Sequence, residues 1–155
     1  MAKILVYGYG NPGRSDDGLG VLLAERIEKE SLPGITVETN YQLNAEDALE
    51  ISQYDAVIFA DASENDIEPF RFTKLQPEYE VSFSTHAMSP GSVLKLCHEL
   101  YRSDLPAFLL EMKGYDWAMA EGLSEKAEEN LQKAFAFALK RLKEGSLESL
   151  ITAAG

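Results

Sequence analysis

Three strand-to-helix junctions of the sequence carry side chains that can bind a divalent cation. Asp17 follows the first apolar run, Asp61 directly follows Ile58-Phe59-Ala60, and His86 shortly precedes a helix start at Ser89-Pro90. Carboxylate plus imidazole suits zinc, nickel or a similar ion, whereas an all-oxygen set would suit magnesium. We therefore predict that Asp17, Asp61 and His86 meet at one metal site.

The loop after the first apolar run is rich in glycine. Gly8-Tyr9-Gly10-Asn11-Pro12-Gly13 matches the dinucleotide-binding pattern G-x-G-x-x-G. Two carboxylates, Asp16 and Asp17, follow where the helix begins, and they would repel a pyrophosphate. We predict that this loop shapes a substrate cleft through Gly8, Gly10, Asn11 and Asp16. In the alternative interpretation, Asp16 or Asp17 simply caps the first helix.

Other reactive side chains have weaker patterns around them. Ser15 lies in a segment similar to G-x-S-x-G, but no strand runs directly into it. Cys97 and His98 are adjacent in a predicted helix and cannot face each other as a catalytic pair, so Cys97 is predicted to be a core residue. Tyr115, Trp117 and Met119 are either ordinary packing or an apolar wall for a peptide.

The elements that position these residues alternate along the chain. Apolar runs and alternating patterns predict strands at 4–7, 35–39, 56–60, 70–72, 79–83 and 108–112. Helices are predicted from Leu19, from Asn44 as a cap to about Ser52, from Ser89 to about Arg102, and from Ser124 to Gly145. This order predicts a three-layer α/β/α sandwich around a mixed, mainly parallel sheet of about five strands. Ligands bind such sheets at the carboxyl ends of the strands.

Length and composition limit the classes of protein that fit. A chain of 155 residues predicts one domain, here 1–145, followed by a weakly ordered tail at 146–155. The net charge of −12 argues against nucleic-acid binding, and no apolar run reaches the roughly 20 residues of a membrane span. The single Cys97 excludes an intrachain disulfide, and no signal peptide is evident. We expect a cytoplasmic monomer.

The sequence resembles the hydrogenase maturation proteases. The resemblance is carried by residues 4–20, with the glycine–aspartate loop as its most specific part, and continues through Asp61, through His86 and Ser89, and through Gly122-Leu123-Ser124. Members of that family remove a C-terminal extension from the large-subunit precursor of nickel–iron hydrogenases. The resemblance implies an α/β/α sandwich of the phosphorylase/hydrolase-like class.

The resemblance also implies a ligand set and a partner. The family's metal ligands, two carboxylates and a histidine, correspond to Asp17, Asp61 and His86, although some relatives carry the longer Glu at the position of Asp17. The metal is nickel already held by the hydrogenase large-subunit precursor, so no permanent cofactor is expected. No nucleophile or catalytic triad is visible in the sequence.

Two other functions fit parts of the sequence. Peptidyl-tRNA hydrolases have a similar turn at Gly10–Gly13, but they need a catalytic His soon after it and a basic surface. This chain has no His between residues 1 and 85. A non-catalytic metal- or peptide-binding module on the same scaffold is the second alternative.

Overall fold

The sheet of the protein is mixed and mainly parallel, as the sequence predicts. A computed structural model describes residues 1–79 and 88–154. Its strands are β1 Ile4–Tyr9, β2 Ile35–Asn40, β3 Ala56–Ser63, β4 Phe70–Leu75 and β5 Ala107–Lys113. They lie in the order β2-β1-β3-β5-β4, and β4 is antiparallel to β5. The carboxyl ends of β1, β3 and β5 therefore share one edge.

Helices cover both faces of this sheet. The α-helices are α1 Leu19–Glu28, α2 Asp47–Ile51, α3 Pro90–Tyr101, α4 Glu125–Glu144 and α5 Leu147–Ala153, and a short 3-10 helix, Ser15–Gly18, precedes α1. No helix in the described ranges is both long and apolar enough to cross a membrane.

Alternation along the strands builds two cores. In β1, Ile4 and Val6 pack with residues of α1 and α4, whereas Leu5 and Tyr7 pack with residues of α2 and α3. Cys97 is fully buried in the second core, as predicted. These two cores confirm the three-layer α/β/α arrangement.

The N-terminus of α1 packs directly on the sheet. A Cβ on Gly20 would lie 2.2 Å from the Ala60 carbonyl oxygen and 2.8 Å from that of Tyr9. This approach holds the start of α1 against the carboxyl ends of β1 and β3, and it brings the preceding Asp17 to the same edge.

Helix caps account for several boundaries. The Ser89 and Ser124 side chains accept hydrogen bonds from the backbone of Ser92 and Ala127, and α4 ends at Gly145 in the left-handed conformation, as predicted. The predicted cap at Asn44 is wrong. Instead, the Asp47 carboxylate in the first turn of α2 accepts the Asn44 N–H at 2.8 Å.

The C-terminal tail and the predicted strand pair at 70–72 and 79–83 differ in part from the sequence prediction. The tail that we expected to be weakly ordered forms α5, capped by Ser146, because Leu150 is buried in the core beside α4. The predicted strand 70–72 extends to Leu75 as β4. Of its predicted partner at 79–83, Tyr79 lies outside any strand and 80–83 lie outside the described residues.

Candidate metal and substrate site

Asp17 is held at the carboxyl end of β1 by the glycine-rich loop. Its Oδ2 accepts the Asn11 N–H at 2.8 Å, and the side chain remains half-buried. Gly10 has φ +134°, and a Cβ there would lie 2.1 Å from the Asp17 carbonyl oxygen. Glycine is therefore required at position 10 for the loop to close around Asp17.

Asp61 lies within β3, two residues before the strand ends. Its Oδ1 accepts the Ala62 N–H at 2.8 Å, and the Tyr9 side chain also donates a hydrogen bond to the carboxylate. Burial raises the pKa of Asp61 to about 7, with smaller contributions from the negative charges of Asp17 and Glu111. Asp17 and Asp61 thus lie at the same edge of the sheet, where the charge of Asp17 acts on Asp61.

A carboxylate that we had not singled out lies next to Asp61. Glu111 of β5 is in register with Asp61, and Arg71 of β4 is in register with Glu111. The Arg71 guanidinium donates to Glu111 Oε1 from Nε at 3.2 Å and from an Nη at 2.8 Å. Glu111 is therefore ion-paired with Arg71 on the side away from Asp61.

His86, the third predicted ligand, lies outside the described residues. In residues 1–79 and 88–154, no three His, Cys, Asp or Glu side chains come close enough together to hold a metal ion. The described structure places two carboxylates, Asp17 and Asp61, at this sheet edge. A third donor from the segment before α3 stays a prediction. Carboxylate oxygens alone suit magnesium or a similar hard cation, so a preference for nickel or zinc depends on the predicted histidine.

Asp16 does not line a cleft, contrary to our expectation. It is fully buried, and it accepts hydrogen bonds from the Tyr115 and Asp116 N–H groups at 2.7 and 2.9 Å. The Ser124 N–H and hydroxyl each donate to it at 2.7 Å. Asp16 therefore ties the glycine-rich loop region to the segment that precedes α4.

The capping interpretation of these two aspartates is also wrong. Neither the 3-10 helix nor α1 has a side-chain cap. The hydrogen bonds of Asp16 come from residues 115–124, and that of Asp17 comes from Asn11. Asp16 thus makes tertiary contacts, whereas Asp17 closes the local loop.

The loop is poorly built to bind a phosphate. Two of its N–H groups are occupied within the loop: that of Asn11 by Asp17 and that of Gly13 by the Asn11 side chain at 2.8 Å. Gly8 is buried against α1. Gly10 lines a cavity of about 290 Å³ together with Pro12, Val21 and residues 39–41.

The other candidate nucleophiles are engaged elsewhere. The Ser15 hydroxyl is buried and donates to the Ala118 carbonyl at 2.8 Å, so it is not presented to a substrate. His98 contacts Asp104 and not Cys97. Of the aromatic cluster, Trp117 packs on Gly114, whereas Met119 is 75% exposed.

Sequence reasoning missed Tyr9 and Glu111. Both lie at alternating positions of their strands, on the same face as Tyr7 and Leu109 respectively. The sequence does contain a sign of such residues, because a polar residue continues a buried strand. Glu111 does so within Phe108-Leu109-Leu110-Glu111-Met112. The strand register that brings these residues beside Asp61 could not be predicted from the sequence.

Comparison with known proteins gives a structural answer. No family model matches the chain, and no curated protein matches its sequence. Among solved structures, HybD, a hydrogenase maturating endopeptidase from E. coli, is 22% identical with a TM-score of 0.75, covering 93% of this chain and 94% of its own. HycI, a [NiFe] hydrogenase maturation protease from Thermococcus kodakarensis KOD1, is 23% identical with a TM-score of 0.71, covering 90% and 91%.

A third structure extends the comparison. The hydrogenase 2 maturation peptidase from Thaumarchaeota archaeon SCGC_AB-539-E09 is 20% identical with a TM-score of 0.66, covering 90% of this chain and 97% of its own. All three likenesses span nearly the whole chain. The chain therefore has the fold of the hydrogenase maturation proteases, as the sequence resemblance implied.

Proposed function

We propose that the protein is an endopeptidase of hydrogenase maturation. It acts as a cytoplasmic monomer on the large-subunit precursor of a nickel–iron hydrogenase and removes its C-terminal extension after nickel insertion. Asp17, Asp61 and His86 bind the nickel that the precursor carries. The nickel is part of the substrate, so the enzyme itself needs no resident metal.

The observation that carries this proposal is the position of Asp17 and Asp61 at one edge of the sheet in this fold. The two carboxylates come from separate elements, yet Asp17 acts electrostatically on Asp61. Placing two like charges together in a half-buried site is unfavourable without a cation. A divalent ion bound at both carboxylates offsets that repulsion, which favours a partner that carries a metal ion.

Each carboxylate arrives with its orientation restricted. Asp17 is held by the Asn11 N–H and Asp61 by the Ala62 N–H, both at 2.8 Å. Each carboxylate can still accept a cation, because its two oxygens together have about four acceptor sites, more than these hydrogen bonds use. Binding nickel at these atoms fixes the precursor over the sheet edge.

The chemistry at this edge disfavours the tRNA alternative. Carboxylates of Asp17, Asp61 and Glu111 gather there, and the chain carries a net charge of −12. A polyanionic substrate would be repelled. A non-catalytic metal- or peptide-binding module would share the same carboxylates, so cleavage itself is the property that separates it from an enzyme.

The test is mass spectrometry of a nickel-loaded large-subunit precursor after incubation with the purified protein. We expect loss of a C-terminal fragment with the native protein. The variants Asp17→Asn, Asp61→Asn and His86→Ala should leave the precursor intact, because each removes a metal donor. Asp66→Asn is the matched control, since Asp66 is an exposed carboxylate just beyond the end of β3.

The control separates ligand loss from general loss of charge. Asp66→Asn should cleave like the native protein. If the three site variants also cleaved at the native rate, the assigned ligands would be wrong. If the native protein bound the precursor without cleaving it, the binding-module alternative would replace the peptidase.

A further inference from the structure

We propose that Tyr9 is a positioning residue that holds the Asp61 carboxylate in its metal-binding orientation. The inference rests on the proposed function, because it assigns a role at that same site. It concerns a residue of the glycine-rich loop that the peptidase proposal leaves without a task.

The sheet register places Tyr9 beside Asp61. Gly8 and Ala60 are the last paired residues of β1 and β3, so Tyr9 and Asp61 follow at adjacent positions. Tyr9 is also in register with Asn40 of β2, and Asp61 with Glu111 of β5. With Arg71 opposite Glu111, one row of polar side chains crosses all five strands near the edge where the four parallel strands have their carboxyl ends.

Within this row, Tyr9 supplies a neutral hydrogen-bond donor to Asp61. The Tyr9 side chain donates to the carboxylate, and the Ala62 N–H donates to Oδ1. Asp61 is therefore fixed by a backbone donor from its own strand and by a side-chain donor from the neighbouring strand. Hydrogen bonds of this kind orient metal-binding carboxylates and tune their affinity.

The charged neighbours of Asp61 cannot replace this contact. Asp17 and Glu111 both carry negative charge and act against the ionised carboxylate. The nearest cation of the row, Arg71, is ion-paired with Glu111 at 2.8 Å. A neutral phenol, by contrast, stabilises the charged carboxylate without competing with the incoming cation for it.

The chain offers a matched control two residues away. Tyr7 lies on the same strand and faces the same core as Tyr9, but its hydroxyl donates to Asp47 at 2.9 Å. Tyr9→Phe and Tyr7→Phe each remove one hydroxyl and keep the ring that packs against that core. They differ in which carboxylate loses its donor.

The experiment is calorimetric titration of the full-length protein with Ni²⁺ alone. We expect Tyr9→Phe to weaken nickel binding by about 10- to 100-fold, the effect typical of losing an orienting hydrogen bond to a metal ligand. Tyr7→Phe should bind nickel like the native protein. Circular dichroism and melting curves establish that all variants are folded.

A double variant tests whether Tyr9 acts through Asp61. In an Asp61→Asn background, Tyr9→Phe should cause little further loss of nickel affinity, because the carboxylate that it orients is gone. Equal losses in both backgrounds would overturn the inference, and so would unchanged or tighter nickel binding by Tyr9→Phe alone. Failure of the native protein to bind nickel would instead remove the proposed metal site itself.

Discussion

Burial and neighbouring carboxylates act against the ionised form of Asp61. They raise its pKa from 3.8 to about 7, so the folded protein holds this proton over a range where the unfolded chain has lost it. Since the folded state then binds more protons than the unfolded state, the free energy of unfolding falls as the pH rises through that range. The proposed metal binding would require the deprotonated carboxylate, the form that the folded protein disfavours.

The direction of this pH dependence predicts how Asp61→Asn changes the stability of the metal-free protein. The variant lacks the charge, so above pH 7 it should be more stable than the native protein by up to about 4 kcal/mol, the free energy equivalent to the pKa difference. At about pH 4 the advantage should largely vanish, because Asp61 is then protonated in the folded state. Urea unfolding at a series of pH values measures both, and a stability difference independent of pH would contradict the pKa assignment.

Asp61 and Asp16 show which residue roles can be predicted from the sequence and which cannot. Asp61 was predicted because a carboxylate directly after a buried apolar run belongs at the edge where ligands bind. The structural role of Asp16 was not predictable, because its donors at Tyr115, Asp116 and Ser124 are about a hundred residues away in sequence. Local patterns report on strand ends, whereas buried hydrogen-bond partners depend on tertiary contacts.

At the scale of elements, two loops form one unit around Asp16. The Ser15 N–H donates to the Ala120 carbonyl at 2.7 Å, and the Asp16 N–H to that of Asp116 at 2.9 Å. With the four hydrogen bonds that the Asp16 side chain accepts, these contacts fix the segment between β5 and α4 against the loop that carries Asp17. The position of Asp17 therefore depends on contacts with residues 115–124, about a hundred residues away in sequence.

Asp16→Ala should release this connection. Three backbone N–H groups and the Ser124 hydroxyl would lose their acceptor, and we expect a cost of about 3 kcal/mol or more in the free energy of unfolding. The only Trp of the chain, Trp117, lies in the released segment, so its native-state fluorescence should also change. Urea unfolding followed by that fluorescence measures both effects.

Glu121→Gln is the control for this change, because Glu121 is an exposed carboxylate in the same segment. It should leave both stability and fluorescence near their native values. Equal stability of the Asp16→Ala and Glu121→Gln variants would show that the buried carboxylate does not hold the two loops together.

Elements were predictable to different degrees, for physical reasons. The caps at Ser89 and Ser124 were found because a serine before a helical pattern is a local signal. The α5 helix was missed although Ser146 precedes Leu147, Leu150 and Ile151 at helical spacing. Its short length gives a weak pattern, and burial of Leu150 beside α4 stabilises it. Asn44 failed as a cap because Asp47 bonds backward to it.

At the scale of the whole molecule, the fold places a glycine-rich loop where other α/β proteins bind dinucleotides. Here the N–H groups of Asn11 and Gly13 are already bonded, that of Asn11 to the Asp17 carboxylate and that of Gly13 to the Asn11 side chain. The fold and the glycine motif alone therefore suggest dinucleotide binding, which the occupied N–H groups and the nearby carboxylate disfavour.

We accordingly expect nicotinamide dinucleotides not to raise the melting temperature. A ligand at 100 times its dissociation constant would add about 2.7 kcal/mol to the free energy of unfolding, which thermal denaturation detects easily. Ni²⁺ serves as the positive comparison and should stabilise the protein. A clear shift with the dinucleotide would return the loop to a phosphate-binding role.

The central claim is that nickel in the precursor licenses cleavage, and the rate of precursor cleavage with and without nickel tests it most directly. Metal-free protein should cut the nickel-loaded precursor and leave the nickel-free precursor intact, because Asp17, Asp61 and His86 would lack the ion that they bind. Cleavage of the nickel-free precursor at the same rate would contradict this account, and stoichiometric zinc retained by the purified protein would point to a resident catalytic metal instead.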